Sequence, residues 1–184
     1  MSCQRAGTSC SACCGLYNLR LDARARQSLL VERSQQFVLC PDTWYEYRRD
    51  REAREQSIPR FAGDVYVCPF VGFIGPGRSG CLIHPARTGI HDSQNFSFYG
   101  ASICQAYDCY AKENDSGWWA GFLEKEFPLD YGQLMGDSLF YRVLVRLGGA
   151  DLGSVLLRRL CDLRLERQKG VHSFEIDYEP LRAP

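Results

Sequence analysis

The sequence predicts an α+β fold that is mostly helical and contains an irregular, cysteine-rich metal core with short strands. Apolar side chains recur at helical spacing near both ends of the chain, whereas glycine and proline separate short apolar pieces in its middle. The chain has 184 residues and is 45% hydrophobic, which suffices to bury one core. We expect residues 1–184 to form a single metal-binding domain with a helical C-terminal part over 110–184.

The first helical region extends from Leu21 to about Gln36, where leucine and alanine recur at nearly four-residue spacing. Pro41 interrupts this pattern, and Asp42 is placed to cap a second helix that continues to about Gln56. Arginine and glutamate dominate the second helix, so we expect its outer face to be solvated.

Residues 57–110 favour short strands and loops, because glycine and proline punctuate pieces such as VYVCPF and FVGFI. Segment 75–80, GPGRSG, indicates a flexible turn and lacks the Gly-Lys-Ser/Thr ending of a phosphate-binding loop. Helical patterns return over 118–127, 135–147 and 151–169. The last of these carries Leu152, Leu156, Leu160 and Leu163 on its predicted apolar face.

Charge and hydropathy exclude several classes of partner. Lys plus Arg and Asp plus Glu each number 22, and this balance disfavours nucleic acid as the main partner. No apolar stretch approaches the length of a membrane span, so no membrane is expected. The N-terminal residues contain no apolar run typical of a secretory signal, which predicts a reducing, cytoplasmic location.

Ten cysteines are unusual for such a compartment, where thiols serve as metal ligands or as small buried side chains. Cys10, Cys13 and Cys14 form C-x2-C-C, and a two-residue gap lets a tight turn aim two thiolates at one ion. In an extended chain neighbouring side chains diverge, so we expect the vicinal pair to serve two ions or to include one bridging thiolate. The candidate ligands divide into two sets of four: Cys3, Cys10, Cys13, Cys14, Cys68, Cys81, Cys104 and Cys109.

Other candidates have simpler interpretations. Cys161 lies in an amphipathic helix and Cys40 precedes a proline between two helices, so we expect both to be structural. His84 is an alternative ligand, although a packed or hydrogen-bonded role suits it better, and His91 is expected at the surface. The sequence contains no convincing catalytic constellation.

The cysteine pattern resembles a family described as zinc- or iron-chelating, or as iron-sulfur oxidoreductases, whose first motif is C-x2-C-x2-C-C. The resemblance covers about residues 3–109 and includes CPF, GCLIHP and CQAYDC. Gly7 stands where the family has its first cysteine, and His84 stands where it has a tyrosine. The matching positions are Cys10, Cys13, Cys14, Cys68, Cys81 and Cys104, and Cys109 resembles a further family cysteine. The resemblance implies metal binding.

Zinc is the expected metal, because tetrahedral sites of four thiolates suit it and need no assembly machinery. Such a closed site predicts a structural or recognition role, which leaves room for a protein partner that the sequence does not identify. The alternative is an iron-sulfur cluster, which four cysteines also hold and which would make the chain an electron-transfer protein or an oxidoreductase component.

Overall fold

The structure is a computed structural model that describes residues 10–106 and 117–170. Over these residues it is mostly helical with one small antiparallel sheet, which confirms the predicted α+β class in outline. The chain divides into two compact units, with the boundary between Ser138 and Leu139. None of the described helices combines the length and the apolar character that crossing a membrane requires.

The regular elements are named here in chain order. The sheet consists of β1 (Val71–Gly75) and β2 (Arg78–Cys81). The α-helices are α1 (Ala23–Gln36), α2 (Trp44–Glu55), α3 (Pro85–Thr88), α4 (Gly100–Ala106), α5 (Gly117–Glu126), α6 (Tyr131–Met135), α7 (Ser138–Arg146) and α8 (Ser154–Gly170). Short 3-10 turns lie at Ala12–Cys14, Leu16–Asn18, Pro41–Thr43, Ser93–Phe96 and Gly149–Asp151.

Helices α1 and α2 confirm the two predicted N-terminal helices. The Asp22 side chain caps α1 by accepting a hydrogen bond of 2.8 Å from the Ala25 amide. The predicted cap of α2 at Asp42 is wrong, because Pro41 starts a 3-10 turn that includes Asp42 and leaves Thr43 at the helix boundary. Asp42 therefore lies inside this 3-10 turn and does not cap α2.

A buried charge network joins α1 to α2, although the sequence predicted that the outer face of α2 is solvated. Glu55 accepts hydrogen bonds from Arg33 Nε at 2.9 Å and from Arg51 Nε at 2.8 Å. Arg51 also donates to Glu32 at 2.6 Å. Arg33 is completely buried, and it donates to the backbone oxygens of Cys68 and Val71, each at 3.2 Å. These bonds attach the two helices to the segment that leads into β1.

Strands β1 and β2 form a hairpin in which Val71 pairs with Cys81 and Gly72 with Gly80. The predicted flexible turn over 75–80 is mostly wrong, since Gly75 ends β1 and Arg78–Cys81 forms β2. Only the Pro76–Gly77 tip remains as the turn, with Gly77 at φ 66°. A Cβ atom on Gly72 would lie 2.7 Å from Ser34 Oγ, so the glycine permits close contact between α1 and β1.

The C-terminal helices differ from the predicted pattern in two places. The pattern over 135–147 predicts one helix, but α6 ends at Met135 and α7 begins at Ser138. On α8, Leu156 is 41% exposed, so the predicted face is displaced by one residue. Within residues 154–166 of α8, the buried side chains are Leu157, Leu160, Cys161 and Arg164. Arg164 belongs to this set although a pattern based on apolar residues does not include it.

We predict that Glu55→Gln lowers the free energy of unfolding by about 3–5 kcal/mol, because it removes the carboxylate that two buried guanidinium groups share. Urea unfolding followed by circular dichroism measures the change. Glu46→Gln, at an exposed position of the same helix, is the matched control and should stay within about 0.5 kcal/mol of the parent. Equal stability of the two variants would show that the network does not stabilise the fold.

Candidate metal centre

A single 3-10 turn, Ala12–Cys14, places the vicinal cysteines. Cys13 is exposed and Cys14 is partly buried, and their sulfur atoms lie 4.0 Å apart. The expectation that the two side chains diverge is wrong, because it holds for an extended chain and these residues occupy a helical turn. Gly15 ends the turn at φ 70°, a conformation that favours glycine.

Backbone contacts attach this turn to the segment before β1. The Cys68 amide donates a hydrogen bond of 2.9 Å to the Cys14 carbonyl oxygen. A Cβ atom on Gly15 would lie 2.2 Å from the Tyr66 carbonyl oxygen, so the two backbones are in direct contact there. Cys14 and Cys68 are thus brought together by main-chain geometry, although 54 residues separate them.

The hairpin of β1 and β2 brings Cys81 to the apolar cluster that contains Cys68. Cys81 pairs with Val71, and the Leu82 amide donates to the Phe70 carbonyl oxygen at 2.7 Å, so the residues after β2 return past Cys68. Cys68 is buried in a cluster with Trp44, Phe70 and Ile83. Cys14 and Cys81 pack against that cluster. Three of the predicted ligands therefore border one apolar core.

Cys104 lies in α4 and contacts the side chain of Ser97. The Ser97 Oγ and Cys104 Sγ atoms lie 3.8 Å apart. Ser97 itself is buried and donates a hydrogen bond of 2.7 Å to the Gln94 carbonyl oxygen. Ser97 thereby connects the 3-10 turn at Ser93–Phe96 to Cys104 in α4.

The pKa values of the more buried thiols show that these cysteines interact electrostatically. Burial, followed by repulsion from Cys81 and then Cys104, raises the pKa of Cys68. Burial also raises the pKa of Cys81 to about 12, with repulsion from Cys104 and Cys13. Burial comes first for Cys104 as well, and repulsion from Cys13 adds to the rise in its pKa. Each of these thiols favours its protonated form chiefly because it is buried, and repulsion from other thiols adds to the rise in pKa.

The pKa values of the two vicinal thiols shift in opposite directions. A hydrogen bond from Cys14 lowers the pKa of Cys13 to about 7. The same hydrogen bond raises the pKa of Cys14, as do burial and repulsion from Cys13, Cys68 and Cys81. The five thiols of Cys13, Cys14, Cys68, Cys81 and Cys104 form one electrostatically coupled group, which we name the thiol cluster.

Cys10 lies beside α6. Its sulfur donates a hydrogen bond of 3.2 Å to the Gly132 carbonyl oxygen, and a Cβ atom on Gly136 would lie 3.1 Å from it. The same Cβ atom would lie 2.2 Å from the Ala12 Cβ atom, so glycine at 136 allows the cysteine-bearing turn to approach α6. The predicted ligands Cys3 and Cys109 lie outside the described residues.

The remaining candidates occupy structural positions. His84 caps α3, where its Nδ1 atom accepts a hydrogen bond of 3.1 Å from the Ala86 amide, and His91 is exposed. Cys161 is completely buried, as expected for a packed thiol, and Cys40 is partly buried. Across 10–106 and 117–170, no three His, Cys, Asp or Glu side chains are arranged so that they could hold a metal ion.

Comparison with known proteins adds no relative. No protein-family model, no curated protein and no solved structure matches this chain. The family resemblance of the cysteine motifs therefore stays a prediction, and the inference of function depends on the residues themselves.

Three residues around the thiol cluster were missed in the sequence. Arg33 lies on a helix that looked merely amphipathic, and it bonds to the Cys68 carbonyl oxygen. Ser97 contacts Cys104, and the Gln94 carbonyl oxygen accepts a hydrogen bond from Ser97, but both residues lie in a polar stretch that carries no recognisable motif. Local patterns contain no signal for such long-range contacts.

We predict that Gly15→Ala destabilises the protein by about 2–4 kcal/mol, because the new methyl group meets a backbone oxygen and the left-handed conformation is strained. Gly63→Ala is the control, since a Cβ atom there has nothing within 4 Å. Thermal and urea unfolding of both variants provide the measurement. If both substitutions are tolerated equally, the close contact between Gly15 and Tyr66 is absent in solution.

Proposed function

We propose that the protein binds zinc through the thiol cluster and that the ion has a structural or recognition role. The observation that carries this proposal is the convergence of cysteines from segments far apart in sequence. Cys68 lies in the apolar core cluster against which Cys14 and Cys81 pack, and Cys13 lies beside Cys14. Cys104 contacts the Ser97 hydroxyl, and its charge interacts with those of Cys68 and Cys81. Thiols that serve only as small packing groups have no reason to gather, since packed apolar side chains of any type would fill the same space.

The chemistry of the donors fits zinc. A tetrahedral zinc ion with thiolates at 2.3 Å implies sulfur atoms about 3.8 Å apart. The Cys13 and Cys14 sulfurs are already separated by 4.0 Å. The positive charge of a divalent cation would also offset the burial and the mutual repulsion that raise the pKa of the buried thiols, and coordination would deprotonate them. Rotation of side chains has to bring the other sulfurs within bonding distance.

The role follows from the number of donors. Four thiolates complete a tetrahedral zinc site and leave no open position for water or substrate. Such an ion would connect the Ala12–Cys14 turn, the hairpin and α4, and would not act as a Lewis acid. The five thiols include one more than a single ion needs, so one of them bridges or belongs to a second ion.

We predict that protein purified without oxygen and without chelator is colourless and contains about one or two zinc ions per chain. Elemental analysis and an anaerobic visible spectrum are the measurements. Zinc plus iron far below one equivalent would exclude metal binding. A brown preparation with acid-labile sulfide and a band that bleaches on reduction would replace zinc with an iron-sulfur cluster and an electron-transfer role.

We predict that Cys68→Ser and Cys81→Ser lose most of the metal, because Cys68 belongs to the apolar core cluster against which Cys14 and Cys81 pack. Cys161→Ala is the matched control, as a buried thiol of α8. It should retain the metal and lose about 1 kcal/mol of stability through the smaller side chain. Metal loss on substitution of Cys161, or full retention in both serine variants, would contradict the assigned cluster.

A further inference from the structure

The 3-10 turn Ala12–Cys14 places one exposed thiol beside a second, partly buried thiol. The Cys13 and Cys14 sulfur atoms lie 4.0 Å apart. Among the cysteines of the described residues, Cys13 alone is exposed, whereas Cys14 is partly buried. A small molecule in solution therefore reaches the Cys13 sulfur first, and the Cys14 sulfur lies next to the atom that has reacted.

Contacts on both sides of the turn hold this pair in place. Before the turn, the buried Ser11 hydroxyl lies 2.7 Å from the hydroxyl of Ser79 in β2, which is also buried. At the end of the turn, the Cys14 carbonyl oxygen accepts a hydrogen bond of 2.9 Å from the Cys68 amide. The folded chain thus keeps the two sulfur atoms side by side without an ion.

Other thiols of the described residues are less accessible than Cys13. Cys68 and Cys161 are buried. Cys10 is partly buried, and its sulfur donates a hydrogen bond to the Gly132 carbonyl oxygen. Redox-sensitive cysteines are accessible to solvent and often lie next to a second cysteine that resolves the first oxidation product. Cys13 combines these two features.

We propose that Cys13 and Cys14 form a reversible redox site, which a small disulfide such as oxidised glutathione converts to an intramolecular disulfide. The Cys13 sulfur attacks one sulfur of the reagent and breaks its S–S bond. This step forms a mixed disulfide and releases one small thiol, which takes up the Cys13 proton. The Cys14 sulfur then attacks the Cys13 sulfur and displaces a second small thiol, which takes up the Cys14 proton. The protein dithiol is oxidised, and the reagent disulfide is reduced to two thiols.

The spacing of the backbone makes this oxidation easy to reverse. Neighbouring residues hold their Cα atoms about 3.8 Å apart, closer than the roughly 4.4–6.8 Å of most disulfides. A disulfide between Cys13 and Cys14 is therefore strained, and a strained disulfide is reduced readily by a small thiol. Oxidation of the pair then needs an excess of the reagent disulfide, and added thiol restores the dithiol.

The test treats the full-length protein with excess oxidised glutathione after a chelator has removed any bound ion that would block the thiols. Mass spectrometry then follows the tryptic peptide of residues 6–20, which carries Cys10, Cys13 and Cys14. Cys13→Ser removes the exposed thiol and Cys14→Ser removes its neighbour. Cys10→Ser is the matched control, because it removes a partly buried thiol from the same peptide. Circular dichroism verifies that each protein remains folded.

We expect this peptide to lose two hydrogen atoms in the parent and in Cys10→Ser, and reduced glutathione to restore them. In Cys14→Ser the peptide should instead keep one glutathionyl group on Cys13, because the thiol that displaces it is missing. Cys13→Ser should give neither product. The buried Cys161 should stay unmodified in all four proteins.

The outcomes separate this redox site from the proposed zinc site. A parent peptide that stays unchanged, or that keeps a glutathionyl group, overturns the redox site whether or not the protein binds zinc. A disulfide that forms in Cys13→Ser or in Cys14→Ser, or that is lost in Cys10→Ser, belongs to another pair of thiols and also overturns it. Absence of metal from the purified protein overturns the proposed function alone.

Discussion

The guanidinium of Arg33, with no exposed surface, connects α1 to the segment that carries Cys68. Removing such a charge from water is costly, and the cost is offset only when a carboxylate and several acceptors surround it. Glu55 supplies the carboxylate, and the backbone oxygens of Cys68 and Val71 supply two further acceptors. Because these acceptors precede and begin β1, the charge network also fixes where the hairpin starts relative to the two helices.

The thiol cluster depends on that arrangement. With β1 fixed, its pairing with β2 places Cys81 opposite Val71, and the Cys68 amide is directed at the Cys14 carbonyl oxygen. Cys161 and Cys13 occupy contrasting environments. Cys161 is completely buried, whereas Cys13 is exposed beside a second thiol, where a small hydrophobic side chain has nothing to gain.

Local periodicity explains which parts of the fold were predictable. The sequence indicated α1, α2 and α5 nearly to their ends, because runs of helix formers specify them without distant contacts. It did not reveal the burial of Arg51 and Glu55, since a charged pair on a helix is ordinarily solvated. Their burial depends on partners from α1, where Arg33 bonds to Glu55 and Glu32 bonds to Arg51. The break between α6 and α7 also escaped prediction, because the leucine spacing continues through Gly136 and Asp137. For the candidate site, the sequence supplied the cysteines that converge, but not the serine and glutamine that support them.

Several of the contacts around the cluster join backbone atoms and involve no sulfur. The Cys14 carbonyl oxygen, the Val71–Cys81 pairing and the Ser93 contact with Ile83 hold the three segments together without using a thiol. Most of the conformational entropy of gathering the ligands is therefore lost when the chain folds, not when an ion binds. An ion then needs only side-chain rotation and proton release, whereas a site gathered by the metal alone would have to order the loops as well. The buried charge network takes part in this arrangement, because Arg33 bonds to the backbone of Cys68 and of Val71 and so fixes the segment from which the hairpin starts.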